Sequence, residues 1–212
     1  MSAGSRRGLI VLRHGVTDHN ARGIWQGHLD IPLNATGLAQ ARAAAHAIAA
    51  LRPAFVIGSD LARAHRTAEE VADAADLDLE VDAALREIHV GRWQGLTAGE
   101  VAELFPELWA AVSAGEDLAR GEDGETVAQV AQRVRPVVHA ALARLEAGET
   151  AVLVSHGVTA RALVADLVGL DQNAAWRSLS GLGNCHWARL GEREDGWRID
   201  AWNVGAADLG SA

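Results

Sequence analysis

Residues Arg13-His14-Gly15 set an imidazole beside a permanent cation where an apolar run, Leu9 to Leu12, gives way to a polar loop carrying Thr17 and Asn20. Strand ends of open α/β sheets are where ligands collect, and glycine lets backbone approach a bound group closely. A second stretch, Val154-Ser155-His156-Gly157, repeats the arrangement of apolar strand, histidine, glycine and helix. Two strand-end histidines suggest one shared site. Arg63, within Ser59-Asp60-Leu61-Ala62-Arg63-Ala64, is expected in the first turn of a helix that follows a strand. Free N–H groups there attract anions, and the guanidinium fork can grip two phosphate oxygens. Glu87 precedes a glycine-bounded aromatic turn, Gly91 to Gly95, and could serve as an acid catalyst. Together these residue types could bind and transfer a phosphoryl group.

Each has a plainer alternative. A lone buried histidine is more often a satisfied core group than a catalyst. Asp60 and Arg63 could form a helix-surface pair, and Arg86 and Glu87 a solvated one. It is the joint occurrence of two histidines, two arginines and a carboxylate that favours a site.

The elements that must position them alternate between strand-like runs and alanine-rich helical patterns, the mark of βαβ units around a mainly parallel sheet. The reading is an α/β fold of three layers, α/β/α. Leu9 to Leu12 is the first strand. Asn34 caps a helix running to about Leu51, with Leu38, Ala41, Ala45 and Ile48 on its apolar face and Pro53 beyond it. Ala54 to Gly58 is a strand, Asp60 to Ala75 a helix, and Leu79 to Val81 a short strand. Residues 83–124, broken by glycines around Pro106, read as a cap-like insertion in one domain of residues 1–212. A helix from Glu125 to Leu145 contains Pro136, which should kink it. Thr150 to Ser155 is a buried strand and Val158 to Val168 the next helix. Asn184 to Leu190 and Trp197 to Trp202 alternate as two last strands, with a loose tail after Val204.

Composition narrows the function. At roughly 150 residues per domain, 212 residues suggest one domain. A formal net charge of −9 argues against nucleic acid or an anionic membrane as partner, so any anion must be bound locally. The single cysteine, Cys185, excludes an internal disulfide, and no long apolar segment appears. A cytoplasmic protein is expected. All 19 basic residues are arginines, so a lone arginine is weak evidence and only arginines beside other catalytic types carry weight.

In order and spacing, Leu12-Arg13-His14-Gly15-x-Thr17-x-x-Asn20, Gln26-Gly27-His28-x-Asp30-x-Pro32-Leu33, Ser59-Asp60-Leu61-x-Arg63-Ala64-x-x-Thr67-Ala68, Glu87 and Ser155-His156-Gly157 resemble the histidine phosphatase superfamily, in its phosphoglycerate mutase-like branch. The resemblance spans nearly the whole chain. It implies a phosphatase in which His14 takes the phosphoryl group to form a phosphohistidine that water then hydrolyses. It further implies Arg13, Arg63 and His156 around the phosphoryl oxygens, Glu87 as proton donor starting in its neutral form, and Asn20, Thr17, Gln26, Gly27 and the Gly157 amide as binding groups. Neighbouring guanidinium groups are expected to keep His14 neutral for attack. Neither metal nor cofactor is implied, and the expected partner is a small-molecule phosphate ester, with a homodimer as the assembly to test.

Three rival readings meet objections in the residues. A metal site meets the objection that Arg13 and Arg63 would repel a divalent ion. A non-catalytic phospho-ligand binding module would not need both His14 and Glu87. A cofactor-dependent phosphoglycerate mutase is, by the same resemblance, expected to carry paired basic residues in the insertion. The stretch Glu100 to Thr126 holds only Arg120 among several carboxylates. The runs Gly91 to Thr97, Gly183-Asn184-x-x-Trp187 and Trp197 to Asn203 are similar to the glucosyl-3-phosphoglycerate phosphatase subfamily, which implies a sugar-bearing phosphoglycerate. Trp187, Trp197 and Trp202 are equally read as strand packing, leaving Trp25 and Trp93 as the rings expected against a sugar.

Overall fold

The computed structural model describes residues 6–211. Its strands are β1 (Gly8–Arg13), β2 (Phe55–Gly58), β3 (Leu79–Val81), β4 (Thr150–Ser155), β5 (Trp187–Arg193) and β6 (Gly196–Val204). The helices are α1 (Asp18–Ala21), α2 (Ala35–Ala49), α3 (Ala62–Ala75), α4 (Ala98–Leu104), α5 (Pro106–Ser113), α6 (Val127–Arg144), α7 (Gly157–Leu167) and α8 (Gln172–Ser178). The sheet order is β3-β2-β4-β1-β5-β6. The pairings among β1 to β4 are parallel, whereas β5 runs antiparallel to both β1 and β6.

Alternation along the central strands builds two cores. Leu9 and Val11 of β1 join Ala151 and Leu153 of β4 under α6 and α7, while Ile10 and Leu12 join Val152 and Val154 under α2 and α3. Three layers result. Because side chains in a strand alternate between faces, a slip of one residue would exchange the two cores, which fixes the β1–β4 register. That register pairs Arg13 with Ser155.

The chain leaves β1 toward α2 on one face of the sheet and leaves β4 toward α7 on the other. Neighbouring parallel strands whose following helices lie on opposite faces open a crevice at their carboxyl ends. His14 and His156 are the first residues beyond the two strands.

Several boundaries differ from expectation for local reasons. The loop after β1 contains the one-turn helix α1, closed by a capping box between Thr17 and Asn20. Helix α2 ends at Ala49, before Leu51, and α3 starts at Ala62 rather than Asp60, with no side-chain cap. Asn184 to His186 is a turn, and β5 begins only at Trp187, since Cys185 takes a left-handed φ of 56°. Helix α6 runs on through Pro136. Helix α8 escaped the sequence reading altogether. Of the tail after Val204, Gly205 is buried, and Ala206 packs on the core beneath α2.

Within residues 83–124, Trp93 lies fully buried against Trp25 and Trp109, with ring centroids 5.5 and 6.0 Å away. Backbone bonds between Trp25 and both Gly95 and Leu96 fasten this segment to the loop after β1. The expectation that Trp93 meets a sugar is therefore corrected. Its indole fills the core under the segment, and Trp25 alone of the two reaches a cavity.

Candidate active site

A cavity of about 260 Å³ opens at the crevice, and its walls include Arg13, His14, Asn20, Gln26, Gly27, Arg63, Glu87 and Gly157. The four sequence segments singled out thus converge on one place. Thr17 and His156 do not line it. Thr17 is fully buried, and its hydroxyl bonds to Asn20 Oδ1 at 3.1 Å and to Gln26 Oε1 at 3.0 Å. It holds two lining residues rather than touching a ligand, which corrects its expected role.

His14 is 2% exposed, and its main-chain N–H donates to Ser155 O at 3.0 Å across the β1–β4 pair. The rings of His14 and His156 meet edge to face, centroids 5.0 Å apart. Nδ1 of His14 lies 2.7 Å from the Gly15 carbonyl. A carbonyl only accepts, so Nδ1 carries the proton and Nε2 keeps its lone pair. Ser59 Oγ lies 3.0 Å from Nε2 of His156 and also accepts weakly from Leu61 N–H at 3.4 Å. Nδ1 of His156 is buried without a partner.

Burial pushes both imidazoles well below their ordinary range, and the Arg63 guanidinium, with Arg13 beyond it, adds to the effect. The cations act in the direction expected from sequence, and desolvation, which the sequence reading did not include, is the larger cause. The consequence for pH has a definite sign. Unfolding exposes two imidazoles that bind protons more readily than in the fold, so stability falls as pH drops below the unfolded value of about 6.5. The expected loss is roughly 1.4 kcal/mol per pH unit for each histidine until its folded pKa is reached. Thermal unfolding between about pH 7 and 5 measures this. Histidine ring resonances of His14 and His156 should stay at neutral-imidazole positions over the same range, and titration of either near pH 6.5 would overturn the assignment.

The two arginines are held by backbone. Arg63, 0% exposed on the first turn of α3, donates from Nη1 to Leu29 O at 2.7 Å and from Nη2 to Gly27 O at 2.8 Å. Arg13 donates from Nη1 to Leu182 O at 2.5 Å. In both, Nε–H is buried without a partner, and neither makes an ion pair with any described residue. Asp60 pairs with Arg86 instead, which removes both alternatives read from sequence. A buried and a half-buried cation, each with an unfilled buried Nε–H, are an anion site in waiting.

Glu87 is seated at the start of α7. Its Oε1 accepts from Thr159 N–H at 3.1 Å and from the Thr159 hydroxyl at 3.2 Å, and Oε2 accepts a longer bond from Val158 N–H. Asn184, which sequence reading placed in a strand, donates from Nδ2 to His14 O at 3.0 Å and to Asn20 Oδ1 at 3.3 Å. Gly15 serves packing rather than a ligand: a Cβ there would lie 2.4 Å from Gly37 O of α2.

One lining cation was missed. Arg161, on α7, reaches the same cavity and lies one helical turn beyond Gly157. That four-residue spacing was a readable signal, hidden by the abundance of arginine.

The cavity can therefore offer a neutral ring nitrogen to an electrophile, fixed cations to three equatorial oxygens and a carboxyl group to a proton in transit. That set suits phosphoryl transfer. The family model described as histidine phosphatase superfamily (branch 1) matches residues 9–205. The glucosyl-3-phosphoglycerate phosphatase of Mycolicibacterium vanbaalenii is 38% identical, over 94% of this chain and 96% of its own. A probable phosphoglycerate mutase of Yersinia enterocolitica is 33% identical, over 94% and 91%. Among solved structures, mycobacterial glucosyl-3-phosphoglycerate phosphatase complexed with VO3 superposes with a TM-score of 0.87 at 36% identity, covering 94% of this chain and all of that one.

Proposed function

We propose that this chain, which belongs to the histidine phosphatase superfamily (branch 1), hydrolyses small phosphate monoesters through a phosphohistidine formed on His14. The observation that carries the assignment of roles is the pair of buried imidazoles 5.0 Å apart beside two guanidinium groups whose Nε–H donors are unfilled. Nε2 of His14 attacks phosphorus in line with the leaving oxygen. Arg13, Arg63 and Nδ1–H of His156 take the equatorial oxygens as charge spreads over them. Glu87 protonates the departing alkoxide and then receives a proton from the attacking water. Asn20, Gln26, Gly27 and the Gly157 amide complete the cradle.

Hydrolysis rather than mutase chemistry is favoured by the insertion. Arg120, its one basic residue between Glu100 and Thr126, is 3% exposed, lies 3.9 Å from an Asp117 oxygen and lines a different cavity. By likeness to the mycobacterial enzymes, the substrate we propose is a phosphoglycerate carrying a glucosyl group, with Trp25 at the cavity wall as the ring available to it. Residues 83–124 we take as a cap over a single domain, and the negative net charge supports a small-molecule rather than a nucleic-acid partner. Among the described residues no helix is long and apolar enough to cross a membrane, and we assign the protein to the cytoplasm on its single cysteine.

The test is to trap the intermediate. Brief exposure to substrate followed by a quench that avoids acid should leave one phosphoryl group on the peptide containing His14. Phosphate on a serine, or none during steady turnover, overturns the scheme. Release of inorganic phosphate from glucosyl-3-phosphoglycerate, against isomerisation of 3-phosphoglycerate, separates phosphatase from mutase.

A further inference from the structure

Among the arginines that make no ion pair with a described residue, all but three are exposed. The three are Arg13, Arg63 and Arg161, and all of them line the one cavity. Two are already occupied by the phosphoryl role. Arg161 stands apart from them in how it is held.

Its guanidinium carbon sits 3.6 Å from the ring centroid of Trp176, a stacking distance, and Trp176 belongs to α8. Nη1 is tied to Leu179 O at 3.2 Å. Nε–H is buried with no partner, which leaves one edge of the fork unfilled. Arg120 approaches Trp176 as well, at 5.8 Å, so the ring is flanked by two cations. Stacking fixes the guanidinium plane and leaves its N–H groups to bind an acceptor within that plane. A planar carboxylate fits such an edge, with two parallel N–H···O bonds.

We infer that Arg161, backed by Trp176, forms a carboxylate subsite in the wall of the cavity, selecting phosphate esters of hydroxy acids over esters that lack an acid group. The inference rests on the phosphatase reading above and adds to it the residue that recognises the second anion. Burial, with Arg120 nearby, brings the Arg161 pKa down to about 10 although Glu87 opposes the fall, so the group remains cationic at neutral pH.

The experiment compares wild type with Arg161→Met on two pairs of esters, 3-phosphoglycerate against glycerol 3-phosphate, and glucosyl-3-phosphoglycerate against p-nitrophenyl phosphate. The ratio of kcat/KM for the acid-bearing ester to that for its partner is expected to fall about 10- to 100-fold, chiefly through KM, as loss of a charge-assisted bond implies. Arg161→Lys, which keeps a cation and most of the stem, should restore part of the ratio. An unchanged ratio, or equal loss on both members of a pair, overturns the subsite while leaving the phosphatase reading intact. Should wild type hydrolyse none of the four, that reading fails instead. Calorimetric binding of 3-phosphoglycerate against glycerol 3-phosphate to the two proteins then decides the subsite by the same ratio.

Discussion

His14→Ala is expected to lower turnover of every phosphate ester by roughly 10⁴-fold or more, the scale seen when a covalent nucleophile is removed from a unit of cooperating groups. The reason is specific to this ring. Its Nδ1–H is held by the Gly15 carbonyl, so the sheet delivers Nε2 already free of a proton and pointed by a fixed hydrogen bond. Alanine leaves two guanidinium groups able to bind the ester, with nothing to form the new bond to phosphorus. Substrate affinity should survive, because Arg63 takes its orientation from the Leu29 and Gly27 carbonyls rather than from His14. Initial rates with an aryl phosphate, paired with calorimetric binding of inorganic phosphate, check both halves. Turnover within tenfold of wild type would remove His14 from the chemistry.

Glu87→Gln should slow alkyl esters by about 10²- to 10⁴-fold, the range for loss of a general acid, and aryl esters with good leaving groups far less. The amide nearly matches the carboxylate in shape, and its one oxygen can keep the bond from Thr159 N–H, giving up only the longer one from Val158 N–H. What it lacks is a transferable proton. The dependence of log kcat on leaving-group pKa should therefore steepen in the variant. Parallel lines for the two proteins would make Glu87 a structural anchor of α7 and nothing more.

Much of this arrangement was legible in the residues, and the reasons are local. Asn34 names the start of α2 because its side chain accepts the Gly37 N–H at 2.9 Å, a contact encoded within four residues. Leu79 to Val81, read as a short strand, is β3. The converging site was readable because His14, Arg63 and His156 each stand at a strand or helix end, where topology leaves few places to go.

What escaped depended on contacts distant in sequence. Trp93 looked like a surface ring between two glycines. Only the approach of Trp25 and Trp109 buries it. Thr17 carried a familiar spacing, yet its hydroxyl is taken by Gln26 and Asn20. Gly15 was read as making room for a ligand, and it makes room for the backbone of α2. Asn184 to His186 alternated like a strand. The Cys185 N–H instead turns back onto the Arg13 and His14 carbonyls, bracing the end of β1.

The bond between His14 N–H and the Ser155 carbonyl joins residues separated by more than half the chain. Strand β1 reaches the middle of the sheet only after β4 exists to lie beside it, because its other neighbour, β5, comes later still. During synthesis the amino-terminal half therefore leaves the ribosome with His14 facing no second ring. The two imidazoles can meet only once β4 lies beside β1, so a chain cut short before β4 lacks the crevice altogether.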